Sequence, residues 1–397
     1  MFLFHSLVQF LLLILAILAA LSCLLTVWQW LAARNFPLHH KAAVDGFAPA
    51  ISVLKPLKGC DNTTADSLQT WFRQVYPGPI EILFGVADPD DPVCEIVRRL
   101  LAAYPALPAR LVICQQSLGA NAKISQLAQL QKLASHDLIL ISDADVAVPA
   151  DFLVNFVSPL GDSQTGLVNC FYRLANPATL AMQWEAIAIN SDFWSQVLQS
   201  KTLKSLDFAL GAAILVRRAA LVEIGGFAAL VDCLADDFQL GLRIARNGHR
   251  IALCPTVVEC YDKPQNWRQV WKHQLRWART IRVCQPGPYF FSLLSNATLW
   301  PMFWLGADLM VGSGWRIGLI VGSLLALRIL LARDLQRRFT PGRSLVSPFW
   351  LVPVKDLLQA ALWLAAFAGN KVEWRGRTMR VRRDGTLVAV SGVSQDI

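Results

Sequence analysis

From Leu7 to Leu31 the chain carries no charged side chain, and its centre, Leu11-Leu12-Leu13-Ile14-Leu15-Ala16-Ile17-Leu18, is unbroken aliphatic. A helix needs roughly 20 apolar residues to cross a hydrocarbon core, so this run is long enough to span one. Trp28 and Trp30 follow at the level of an aromatic belt, and Arg34, His39, His40 and Lys41 come next. Basic residues collect on the cytoplasmic side of a span. The reading is an anchor over residues 1–33 with residue 34 onward in the cytoplasm. A cleaved signal peptide is the ordinary alternative, but such peptides open with positive charge and use a shorter apolar core. Residues 1–33 hold no Lys or Arg, and Leu21-Ser22-Cys23 is only a weak lipoprotein signal.

A second apolar block falls into three pieces, Tyr289–Val311, Trp315–Ala332 and Ser347–Gly369. The chain is 54% hydrophobic and only 16% charged, against about a quarter charged in soluble domains. That balance argues against a wholly soluble enzyme, and the surplus sits at the two ends. Arg333, Arg337, Arg338 and Arg343 form a cytoplasmic-type loop between the last two pieces. Three crossings would then leave the tail outside, although that tail, residues 370–397, carries Lys371, Arg375, Arg377, Arg380, Arg382 and Arg383. Lys355 and Asp356 sit in the middle of the third piece, where charge is costly in lipid. The expectation is two spans plus a re-entrant or interfacial segment over 289–369.

The middle of the chain has ordinary globular composition. Ile51–Leu54, Ile80–Val86, Arg110–Cys114, Asp137–Ser142 and Gly166–Tyr172 read as strands bounded by Gly, Pro or Asp. Thr64–Gln74, Pro92–Tyr104 and Asn121–Ala134 read as helices, capped by Asp61 or Asn62 and by Asn121. Strands alternating with helices predict an α/β domain over 42–262 with a mainly parallel sheet. Ligands of such sheets bind beyond the carboxyl ends of the strands. The nine cysteines form no Cys-x-x-Cys pair and read as reduced core thiols.

Acidic residues gather at those strand ends. Asp88-Pro89-Asp90-Asp91-Pro92 follows the second strand, where helix capping is the simpler explanation. Asp143-Ala144-Asp145 follows the apolar run Leu138–Ile141. Paired carboxylates at a strand mouth repel unless neutralised, which makes them a seat for Mg²⁺ or Mn²⁺ shared with substrate phosphates. Asp236-Asp237 opens a helical pattern; Asp236 reads as a cap and Asp237 as a candidate general base. Over residues 263–285, Trp267, Trp271, Leu275 and Ala278 recur at helical spacing among Lys272, Arg276, Arg279 and Arg282. That is an amphipathic helix for a membrane interface, and the same basic groups suit a diphosphate. A nucleic-acid role for the net charge of +9 is poor, because the basic residues lie beside the apolar segments.

Together these pieces resemble the processive-type glycosyltransferases of GT-A fold, specifically the ceramide glucosyltransferase family with its hopanoid-pathway bacterial relatives. Ser52-Val53-Leu54-Lys55-Pro56-Leu57-Lys58-Gly59 resembles the nucleotide-binding first strand, and Asp88 to Pro92 the first aspartate motif with Asp91 at its key position. Gly119-Ala120-Asn121-Ala122-Lys123 resembles the G-x-N-x-K element, Asp143 the second aspartate and Asp237 the third. His273-Gln274-Leu275-Arg276-Trp277 resembles the Q/R-x-x-R-W motif, with His273 in place of Gln or Arg. Asn190-Ser191-Asp192-Phe193-Trp194 lacks the His-Pro pair of animal ceramide enzymes and, with Gly225-Gly226-Phe227, looks closer to the hopanoid-pathway members.

The resemblance implies an inverting, membrane-bound hexosyltransferase on the cytoplasmic face of a bacterial inner membrane. A UDP-sugar donor would meet Lys55, Asp88, Asp91, Asn121, Lys123 and Asp143, with a divalent cation on Asp143 or Asp145. Asp237, Arg276 and Trp277 would be the catalytic set, acting on a lipid hydroxyl, and no obligatory protein partner is implied. A polysaccharide synthase and a non-catalytic nucleotide-sugar receptor are the competing readings.

Overall fold

The computed structural model describes residues 2–42, 46–311, 315–342, 347–374, 377–382 and 385–389. Arg343, Arg375 and Arg383 of the basic segments lie outside the described residues. The chain divides into two compact units. The sheet unit comprises Pro37–Asn176, Lys204–Pro264 and Lys371–Ile397, and the helical unit comprises Met1–Phe36, Pro177–Leu203 and Gln265–Asn370. This corrects the expectation of one continuous domain over 42–262: residues 177–203 group with the apolar helices, and the basic tail groups with the sheet.

In the sheet unit, β1 (Ile51–Leu57), β2 (Ile80–Val86), β3 (Ala109–Ile113) and β4 (Leu138–Ser142) run parallel, as the alternation with helices predicts. All seven residues of β1 and all seven of β2 are buried, the pattern of strands covered on both faces. Beyond β4 the sheet changes sense. β7 (Ala213–Arg217) pairs antiparallel with β4 and with β6 (Thr165–Leu174). β6 runs parallel to β8 (Arg250–Cys260), and β5 (Val146–Ala147) closes the edge antiparallel to β8. The strand order is β3-β2-β1-β4-β7-β6-β8-β5.

Helices α2 (Thr64–Phe72), α3 (Val93–Ala103), α4 (Ala122–Gln131), α5 (Phe152–Val157), α8 (Arg218–Glu223) and α9 (Asp236–Arg246) complete the unit. The Asn121 side chain caps α4 by accepting from Ile124 N at 3.2 Å, as predicted. Asp61 does not cap α2 directly; it accepts from Thr63 N and the hydroxyls of Thr63 and Thr64. The core packs Trp71 edge-on to Phe152, which stacks on Phe156, and sets Phe72 against Phe84. All nine cysteines are free thiols.

The tail forms a small antiparallel sheet, β9 (Lys371–Trp374), β10 (Arg377–Val381) and β11 (Leu387–Ala389). Val372, Met379, Val381 and Leu387 are buried while Lys371, Arg380 and Arg382 are exposed. One face of this sheet is therefore packed and the other wet.

In the helical unit, α1 (Phe2–Asn35) and α13 (Trp315–Phe339) contain, among the described residues, the two stretches long and apolar enough to cross a bilayer. The predicted piece Tyr289–Val311 is not one helix. It breaks into α11 (Pro286–Phe291), a 3₁₀ turn over Ser292–Ser295 and α12 (Leu299–Val311), whose N-terminus the Asn296 carboxamide caps at 2.9 Å from Leu299 N. Thirteen helical residues reach about 20 Å, short of a hydrocarbon core of about 30 Å. α14 (Leu351–Phe367) carries Lys355 and Asp356 inward, each about 4% exposed or less. Arg328 of α13 makes a two-pronged contact with Asp356, each bond 2.8 Å, and a third bond with Asp192 at 2.8 Å. Lys355 pairs with both carboxylates, and Thr298 Oγ1 donates to Asp356 at 2.6 Å. Asp192 lies in a single π-helical turn, Ala188–Phe193, between α6 (Leu180–Ile187) and α7 (Trp194–Leu203). α10 (Trp267–Cys284) is the predicted amphipathic helix, opened by a capping box of Asn266 and Gln269.

Candidate active site

The turn after β4 and the starts of α4 and α9 bring Asn121, Lys123, Asp143, Asp236 and Asp237 together. β4 ends at Ser142, and the Asp143–Asp145 turn begins there. Lys123 Nζ lies 2.6 Å from Asp143 Oδ1 and 3.4 Å from Asp236 Oδ2, so one ammonium ties the α4 turn to both acidic segments. Burial opposes its charge, but Asp143 and Asp236 outweigh that effect and hold Lys123 above the ordinary lysine range. Asn121, fully buried, donates to Cys233 O at 2.9 Å and to Asp236 Oδ1 at 3.4 Å. Asp236 is therefore not the helix cap predicted for it; its carboxylate faces Lys123 and Asn121.

Asp237, next on α9, accepts from Phe238 N at 2.8 Å. Burial, and then the charge of Asp236, raise its carboxyl to about 7, with Lys123 pulling the other way. A carboxyl so tuned takes and returns protons near neutrality. Its other oxygen lies 2.7 Å from where a β-carbon on Gly211 would stand, so a side chain at 211 would displace the Asp237 carboxylate. Gly119 meets the same restriction, with Asp232 Oδ1 and Val231 at 2.7 Å. Neither contact follows from a local pattern, and sequence reasoning assigned no role to Gly211 or Asp232.

Lys55 requires a correction. Expected at the donor, it is instead fully buried in β1, with Nζ donating to Asp143 O at 2.5 Å and Ser142 Oγ at 3.2 Å over the face of Trp71. Burial pulls its ammonium down to about 7 against the field of Asp145 and Asp143. Lys55 thus contacts the acidic turn through its backbone.

Asp91 joins two loops: its carboxylate accepts from Gly59 N at 2.8 Å and from Val93 N at 3.0 Å. The simpler capping explanation thus holds for part of Asp91, while Asp88 is exposed and its carboxylate accepts from Asp90 N at 3.0 Å within its own turn. Asp145 keeps contact with solvent, yet the protein around it and the Asp143 charge raise its carboxyl to about 6. That surplus of negative charge fits a hard divalent ion. Among the described residues no group of three or more His, Cys, Asp or Glu could hold a metal alone, so diphosphate and water would complete the shell.

Arg276 and Trp277 belong to α10 of the helical unit. There His273, at the first position of their motif, lies edge-on to Trp277, and its Nδ1 is 2.8 Å from Glu185 Oε1. Gln274 donates to the same oxygen at 2.8 Å. Glu185, 3% exposed on α6, is a residue that sequence reasoning missed, because its partners lie almost ninety positions away.

A sheet that changes sense after β4, with acidic turns and a shared lysine at its strand ends, is the GT-A architecture of nucleotide-sugar glycosyltransferases. The chain belongs to Glycosyl transferase family 21, whose family model matches residues 9–387. Ceramide glucosyltransferase 3 of Caenorhabditis elegans is 25% identical over 226 residues, covering 56% of this chain and 48% of that protein. The chain thus spans about half the length of that relative. An N-acetylglucosaminyltransferase of Bradyrhizobium diazoefficiens is 23% identical over 383 residues, 86% of this chain and 75% of that protein. A mannosyltransferase from Pyrobaculum calidifontis, solved with GDP-mannose and Mn²⁺, superposes with a TM-score of 0.54 at 20% identity over 89% of this chain and 99% of its own, a likeness of fold.

Proposed function

We propose that the protein is a membrane-bound inverting glycosyltransferase that moves glucose or N-acetylglucosamine from a UDP-sugar to the hydroxyl of a lipid, a ceramide or a hopanoid polyol. The observation that carries this reading is Asp237, a carboxyl raised to about 7 beside the acid–lysine cluster of Asp143, Asp236 and Lys123. Family 21 membership and the ceramide glucosyltransferase relatives support the acceptor class.

Asp237 takes the proton of the acceptor hydroxyl as that oxygen bonds to the anomeric carbon from the face opposite the nucleotide. The carbon's bond to the diphosphate oxygen breaks, and UDP leaves with the electron pair. Lys123 and the backbone of the Asn121 turn orient the donor, the kind of preorganised electrostatics that lowers such barriers by several kcal/mol (about 2.7–4 for one donor group); steadying charge on the leaving diphosphate is the role that the family resemblance gives Arg276. Asp143 and Asp145 would hold Mg²⁺ or Mn²⁺, which when bound neutralises diphosphate charge. Lys55 keeps the Asp143 turn in place.

The sidedness follows the same reading. With the tail hydrogen-bonded to the loop that precedes Asp236, this reading keeps the tail on the face of the sheet unit, in keeping with a third apolar piece that does not span. Basic residues after the anchor make that face cytoplasmic. UDP release on adding lipid extract, with mass spectrometry of the glycolipids formed, tests the proposal. A new hexosylated lipid supports it, and UDP release that does not depend on lipid contradicts it.

A further inference from the structure

Residues 231–235 form an irregular loop that ends where α9 begins with Asp236 and Asp237. From one side the 119–123 turn grips it: Asn121 N donates to Val231 O at 2.6 Å, Asn121 Nδ2 to Cys233 O at 2.9 Å, and Ala120 N to Asp232 Oδ1 at 2.9 Å. From another side the C-terminal sheet grips it. Leu387 N donates to Asp232 O at 2.7 Å, Leu234 N donates to Gly385 O at 3.2 Å, and Cys233 and Thr386 form an antiparallel bridge. Within the tail, Arg382 N donates to Thr386 O and Gly385 N to Arg382 O. Gly385, at φ +83°, lies where a β-carbon would press to 3.3 Å from Gln239 Nε2 on α9.

We propose that the C-terminal sheet is a positioning element of the active site, with Gly385 and Leu387 setting the 231–235 loop and through it the placement of Asp237 against Asp236 and Lys123. The inference rests on the reading of Asp237 as the base. Backbone in an irregular loop opens easily unless its polar groups are claimed. Here, between Val231 and Leu234, the tail supplies a donor to Asp232 and an acceptor to Leu234, which neither α9 nor the 119–123 turn provides. The packed apolar face of Val372, Met379, Val381 and Leu387 makes this a docked sheet rather than a solvated basic tail. The proton affinity of Asp237 depends on its distance from Asp236 and Lys123, so a loosened loop alters chemistry as well as stability.

The test compares full-length Leu387→Pro, which lacks the donated N–H, with Leu387→Val, which keeps it. Each is assayed for kcat, for kcat/KM against pH, and for thermal unfolding, alongside Asp237→Asn. Misplacing a catalytic group by about 1 Å costs about a hundred-fold, and a loss of that order in kcat is expected for Leu387→Pro. Its pH midpoint should move away from about 7, while Leu387→Val behaves as the parent. Should Leu387→Pro not accumulate folded, Gly385→Ala carries the same test. A folded variant with parental kcat and midpoint overturns the proposal. So does an activity loss that only tracks the folded fraction with the midpoint unmoved. Parental turnover in Asp237→Asn fails the base reading alone, whereas an inactive Asp237→Asn beside a parental Leu387→Pro fails the tail proposal alone.

Discussion

In the sheet unit, four carboxylates (Asp143, Asp145, Asp236 and Asp237) face Lys123 and the deeply buried Lys55, and the Asp143 side chain is 37% exposed. In the helical unit, Asp192 and Asp356 are matched one for one by Arg328 and Lys355, with Arg328, Lys355 and Asp356 each 5% exposed or less. The first cluster has more negative charge than its cations answer, and its surplus falls on Asp145 and Asp237, whose carboxyls rise toward neutrality. The second is balanced and sealed, and its side chains bond mainly one another and Thr298. An unbalanced, wetted cluster is equipped to take up a cation or a proton. A balanced, dry one holds helices together.

That contrast can be broken at either cluster. The largest effect is expected at Asp237: Asp237→Asn removes the base and should lower turnover by about 10²–10⁴-fold, with UDP-sugar binding by calorimetry retained. Next comes Arg328→Met, which leaves two buried carboxylates with Lys355 alone and should destabilise the helical unit by about 3–5 kcal/mol. Thermal unfolding in detergent reads this, and the folded remainder should keep the parental pH midpoint; a moved midpoint would assign the sealed cluster a part in the chemistry. Asp143→Asn should raise the Mn²⁺ concentration needed for half-maximal activity by about 10–100-fold, the range seen when a metal ligand's support is removed, and weaken donor binding with it. At the small end, Glu95→Gln breaks an exposed i,i+4 pair with Arg99 and should change stability by under about 0.5 kcal/mol.

The sheet-side cluster was largely legible in the sequence because its members end local patterns. Asp143 follows a buried strand, Asn121 caps a helix, and Asp237 opens one. Lys55 was misplaced for the same reason: a lysine inside an apolar strand looks like a ligand contact, whereas here a carbonyl and a hydroxyl at the end of β4 satisfy it from within. The helical cluster was visible only as an anomaly, two charges inside an apolar run. Asp192 is 136 positions from Arg328, and no period or motif links them. The reversed strands β7 and β5 and the docked tail escaped notice likewise, since pairings such as Cys233 with Thr386 are set by tertiary contact. The break in Tyr289–Val311 was written in Ser292, Ser295 and Asn296 but was masked by the hydrophobicity on either side.

The claim that the unbalanced cluster exists to set a base at Asp237 is tested most directly by kcat/KM against pH, which reports groups of the free enzyme. Because its carboxyl is raised to about 7 and must be ionised to accept a proton, activity should climb as pH rises through that value and fall away below it. The climb should vanish from the residual activity of Asp237→Asn. A profile that is flat across neutrality, or one whose midpoint persists unchanged in Asp237→Asn, would contradict the account.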